Sequence, residues 1–120
     1  MAFENLPYIA AKYGWNVSIR RLGYVSQFNF IRKTLSGVPF CLTVETDCED
    51  GGRLVREIIS FVDALDPERF AVEWLVKTGI CSPRLFRQAV SDMEDIRQWA
   101  WLLAYDLGES SGEIQGFLPC

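Results

Sequence analysis

The chain has 120 residues, enough for one domain with a real core and too few to expect two. Its apolar content of 49% excludes wholesale disorder, and its longest apolar run, Trp99 to Tyr105, falls far short of the ~20 residues of a membrane helix. A net charge of −4 argues against general nucleic-acid binding, and the absence of histidine excludes any Ser-His or Cys-His nucleophile pair.

The charge is unevenly shared. The first forty residues carry Lys12, Arg20, Arg21, Arg32 and Lys33 against Glu4, a net of +4, which leaves −8 for the remainder. The N-terminus has no basic segment followed by an apolar block, so no signal peptide is visible and cytoplasmic residence is the expectation.

Asn5 to Tyr13 reads as a short helix, with Pro7 near its start and Gly14 as the stop. Three strand-like segments follow. Trp15, Val17 and Ile19 alternate with Asn16, Ser18 and Arg20; Ser26, Phe28 and Phe30 with Gln27, Asn29 and Ile31; Phe40, Leu42 and Val44 with Cys41, Thr43 and Glu45. Period-two alternation buries one face and wets the other. The short breaks at Leu22-Gly23-Tyr24 and Leu35 to Pro39 suit an antiparallel meander.

An acidic turn, Asp47 to Gly52, leads into a second helix. There Leu54, Val55, Ile58, Ile59, Val62 and Leu65 form the inner stripe, and Arg53, Arg56, Glu57, Ser60 and Asp63 lie outside. Asp66-Pro67 is a cap-plus-proline start for a third helix, with Phe70, Ala71, Trp74 and Leu75 inward and Gly79 at its end. Ser82-Pro83 starts a fourth. Its apolar row, Leu85, Ala89, Met93, Ile96, Ala100, Leu103 and Leu107, crosses the capping-box pattern Ser91-x-x-Glu94 in phase, so one helix ending at Gly108 is expected.

Strands grouped first and helices after define an α+β fold: an N-terminal helix, a three-stranded antiparallel meander, then three helices on one face of the sheet. Residues 1–108 form the single domain, and 109–120, rich in Gly and Ser, an irregular tail.

Few residues point to chemistry. Glu45, Asp47, Glu49 and Asp50 could offer oxygens to a cation, but Gly51 stands where a ligand should, and acids before a helix start are favoured by its dipole alone. No metal and no cofactor are expected. Cys41, Cys48, Cys81 and Cys120 are scattered without a Cys-x-x-Cys pair and read as free thiols. The wet sheet face should carry Asn16, Ser18, Arg20, Gln27, Asn29, Lys33, Cys41 and Thr43. An RNA-reading sheet would show aromatics there, but Trp15, Phe28, Phe30 and Phe40 fall on the other face.

The back of the long helix is the strongest candidate site. At 100° per residue, Trp101, Leu102 and Tyr105 point away from the core row, on the side of Arg87, Glu94 and Gln98. Three large apolar groups on a polar face need a cover. It is either the tail, through Ile114, Phe117 and Leu118, the N-terminal helix, a second copy, or a partner protein.

The runs FVDALDPERFAVEWL and SPRLFRQAVSDMEDI, with Asp66, Trp74, Leu75, Pro83, Asp92, Met93 and Glu94 in matching places, resemble small acidic proteins encoded on plasmids and conjugative transposons of gut bacteria. The resemblance covers residues 61–96 and implies a mobile-element setting, with no activity to transfer. The expectation is therefore a non-enzymatic cytoplasmic domain that binds a protein partner or a second copy of itself through Trp101, Leu102 and Tyr105. The alternative is a nucleic-acid-associated accessory factor using Arg20 and Lys33.

Overall fold

The structure, a computed structural model, describes residues 5–46 and 51–111. It has the α+β order expected: α1 (Leu6–Lys12), β1 (Asn16–Leu22), β2 (Val25–Lys33), β3 (Pro39–Thr46), α2 (Gly51–Ala64), α3 (Pro67–Thr78) and α4 (Pro83–Ser111). The strands form an antiparallel meander in the order β1-β2-β3. Val17 lies beside Phe30, which has Leu42 on its other side, and Ile19 lies beside Phe28, which has Val44 on its other side. This register puts the apolar set of each strand on one face, but the cover stops short of Ile19, expected inside and 46% exposed on the edge strand β1. A two-residue turn joins β1 to β2, with Gly23 at φ 72° as its first residue, a position hairpin turns reserve for glycine.

The covered face packs Trp15, Phe28, Phe30, Leu42 and Val44 against Leu6 and Ile9 of α1, Leu54 and Ile58 of α2, and Ile96 and Leu103 of α4. α1 meets the sheet at β1, α2 meets it at β3, and α4 runs against α1, α2 and α3. Asp66 caps α3, its Oδ1 accepting from the Glu68 and Arg69 amides at 3.1 and 3.3 Å. Ser82 caps α4 through the Leu85 amide at 3.3 Å.

Two further expectations need correction. Phe70 is not inward: it stands at the surface, against Phe40 at 6.4 Å between ring centroids. α3 packs chiefly on α4 rather than on the sheet, and Ala71 is its one buried residue, so the inward arc is too narrow to hold Phe70. The last helix does not stop at Gly108 but continues to Ser111, and Gly108 keeps a negative φ within it. Residues 112–120, including Ile114, Phe117 and Leu118, lie outside the described residues.

Arg32, on the covered face of β2, ties three segments together. Its guanidinium carbon lies 3.3 Å from the ring centroid of Trp99 and 5.8 Å from that of Trp15. Nη1 donates to the Tyr13 carbonyl, and Nε to the Lys33 carbonyl at 3.1 Å. Burial lowers its pKa, opposed by Asp95, but guanidinium keeps its charge at any pH where the protein folds. Gly14, at φ 80°, faces this group: a Cβ there would come within 2.8 Å of Nη1.

α1 is also fastened to α4 by Asp106, whose Oδ2 accepts from the Tyr13 hydroxyl at 2.9 Å and pairs with Lys12 Nζ at 2.7 Å. Burial, then Asp106, raises the Tyr13 pKa above its usual 10.0; the hydrogen bond to Asp106 raises that of Lys12 above 10.5. With both folded values above the unfolded ones, the unfolded chain releases these protons first as pH rises. Their contribution is complete below about pH 10 and is lost above it. Thermal melting should therefore show Tm falling from about pH 10 upward, and less steeply in Tyr13→Phe. An equal decline in that variant would contradict the assignment.

Candidate functional site

Trp101 and Tyr105 lie one turn apart on the outward face of α4, their rings 6.3 Å between centroids and tilted by 52°. They are 43% and 45% exposed, so neither is an ordinary core residue among the described atoms. Leu102, beside them, is half-buried. The row continues through exposed Arg87, Glu94, Gln98 and Glu109, so the aromatic pair interrupts a polar surface. A shallow hollow lined by Val62, Glu94, Arg97 and Gln98 borders Trp101. Arg97 Nε donates to the Val62 carbonyl at 3.2 Å and holds the end of α2 against α4 beneath that hollow. α4 is thus supported by α2 on one flank and by the Asp106 contacts to α1 on the other.

The open face of the sheet has a different chemistry. Thr43 Oγ1 donates to Asn29 Oδ1 at 2.9 Å, Asn29 Nδ2 to Gln27 Oε1 at 3.3 Å, and Gln27 Nε2 to Glu45 Oε2 at 3.0 Å. These side chains satisfy one another, and no aromatic ring stands among them for stacking. Arg20 and Lys33 share this face but not a site: Arg20 is opposite Gln27, six residues along β2 from Lys33, or ~20 Å. Of the acidic turn, Asp47, Glu49 and Asp50 lie outside the described residues, and Glu45 is engaged by Gln27. Cys41 and Cys81 are exposed free thiols; Cys48 and Cys120 lie outside the described residues. Among the described residues no helix is long and apolar enough to cross a membrane.

Two features were missed by the sequence reading. Exposed Val72, Val76 and Ile80 form a shallow apolar hollow with Phe86 between α3 and the start of α4; it lacks the Trp, Tyr or Arg anchors typical of binding hot spots. A deeper cleft of about 400 Å³ opens between the β2–β3 turn, β3, α3 and the first half of α4. Its walls include Phe40, Phe70 and Trp74, and Asp92 there, only 7% exposed, accepts a hydrogen bond from Ser36. The available signal was Asp92 itself, one turn before Ile96 on the edge of the buried row, where a carboxylate needs a reason.

Comparison with protein-family models, with curated proteins and with solved structures finds no match to this chain.

Proposed function

We propose that the protein is a non-enzymatic binding domain whose working surface is the outward face of α4, and that its partner is a second copy of the same chain. The observation that carries this reading is the Trp101–Tyr105 pair, exposed side by side on an otherwise polar row. Tyr and Trp are the side chains most enriched as interface anchors, since each buries a large area at little entropic cost. The long helix also suits a two-fold contact. If two α4 helices pack antiparallel about an axis at the level of Leu103, Trp101 of one faces Tyr105 of the other, and exposed Arg97 faces exposed Glu109. A two-fold contact is self-complementary, so each pairing occurs twice. A cytoplasmic setting, for which the scattered cysteines speak, and a mobile-element setting, for which the resemblance of residues 61–96 speaks, are part of the same proposal.

Light scattering over a range of protein concentrations tests the reading. A mass approaching twice the chain mass of 13.7 kDa is expected. A mass of one chain at every concentration overturns it. Nucleic acid is not the partner proposed, because Arg20 and Lys33 are separated and the sheet between them is internally bonded. Fluorescence anisotropy should find only low-salt binding that is gone by ~200 mM salt. Salt-resistant binding would favour the accessory-factor reading instead.

A further inference from the structure

The cleft between α3, α4 and the β2–β3 turn has the chemistry of a small-ligand site, separate from the α4 surface. Its volume, about 400 Å³, is in the range of pockets that enclose drug-sized molecules. The walls are aromatic and aliphatic. Phe40 is held against Phe61 at 5.9 Å and Phe70 at 6.4 Å, and Trp74 stands one turn beyond Phe70 on α3. Three of the polar side chains on its wall, Thr34, Ser36 and Asp92, are linked to one another. The β2–β3 turn is closed by the Thr34 amide donating to the Val38 carbonyl at 2.8 Å, and Thr34 Oγ1 lies 3.0 Å from Ser36 Oγ. Ser36 in turn donates to Asp92 Oδ2.

Among the described residues Asp92 is the only acid or base that lines this cleft, and no lysine or arginine does. A carboxylate so deeply placed without an opposing cation is unfavourable, and one hydroxyl donor compensates it only in part. Aromatic faces attract cations through their quadrupoles, and a carboxylate among them adds direct charge attraction. A ligand that answers both demands carries a positive charge at one end and an apolar body behind it.

We propose that this cleft binds a small organic cation: a protonated amine on an aromatic or branched aliphatic body. The ammonium group lies against Asp92, and the body lies among Phe40, Phe70 and Trp74. An anion is rejected by Asp92, and a neutral molecule of the same shape gains only the apolar contacts. Trp101 lies nine residues beyond Asp92 along α4, or ~14 Å, so occupancy of the cleft does not require the outward surface.

The test is NMR titration of the full chain with phenethylammonium and with its neutral counterpart 2-phenylethanol. The indole N–H signal of Trp74, assigned through Trp74→Phe, should move with the amine while that of Trp101 stays in place. The amine should bind about tenfold or more tightly than the alcohol. Asp92→Asn should reduce the amine to the level of the alcohol and leave the alcohol unchanged. Equal binding of the two probes by the unaltered protein overturns the proposal, and that comparison holds even where Asp92→Asn fails to fold. Undiminished amine binding in a folded Asp92→Asn variant, or no movement of the Trp74 signal, overturns it as well.

Discussion

Replacing Arg32 with alanine is expected to lower the unfolding free energy by about 2–4 kcal/mol, a large share of the stability of a domain this size. The loss has three parts. The guanidinium leaves the face of Trp99, the Tyr13 carbonyl loses its donor, and the space between Trp15 and Trp99 opens. Arg32→Lys should recover less than half, because an ammonium keeps the charge but neither the flat stacking surface nor the fork of donors. Gly14→Ala should cost about 1–2 kcal/mol for its left-handed backbone, and more for its approach to the same guanidinium. Made together, Gly14→Ala and Arg32→Ala should cost less than the sum of the two, since the group that crowds position 14 is then gone. Urea unfolding of the parent and the four variants decides the matter. An Arg32→Ala change within about 0.5 kcal/mol of the parent would show that the stack carries no stability.

Local pattern was readable where one neighbour decided the burial. The alternation around Phe28 and Phe30 placed both on the covered face, because a strand paired on both sides in a twisted sheet has only two faces to offer. The in-phase row from Met93 to Leu107 placed α4 for the same reason, and with it the outward position of Trp101 and Tyr105. Pattern failed where burial depended on which element a helix met. α3 packs chiefly on α4 and meets the sheet through Phe70 against Phe40, which leaves Phe70 at the rim of a cleft instead of inside the core. The Arg32–Trp99 stack joins a strand to a helix sixty-seven residues later, and nothing local marks either residue as the other's partner. The cleft is harder still to foresee. Ser36, Phe40, Trp74 and Asp92 come from four separate segments, and no pattern within any one of them points to the other three.

The second large effect concerns association. A glutamate at position 101 would set a charge at the centre of the proposed two-fold contact, next to the second copy's Tyr105 and twice per dimer. Burying an unpaired carboxylate at an interface typically costs several kcal/mol, enough to weaken association by a hundredfold or more. The same substitution should be mild for the isolated fold, because Trp101 projects from α4 into solvent and is 43% exposed. A Trp101 packed as ordinary core would instead behave like other buried aromatics, whose truncation costs about 3–5 kcal/mol. Leu102→Asp should follow the same direction with a smaller effect, being half-buried beside the pair. Deleting residues 112–120 separates the remaining case, since removing a covering tail lowers stability without creating a monomer.

Light scattering of the parent chain and Trp101→Glu, with thermal melts at a concentration low enough that both are monomeric, tests the account most directly. Equal dilution matters because loss of a dimer by itself lowers Tm. The predicted result is a dimer that becomes a monomer on substitution, with the two monomers melting within a few degrees of each other, or under about 1 kcal/mol. A parent chain that is monomeric at every concentration, or a substituted chain that melts about 10 °C or more below the parent, would contradict it.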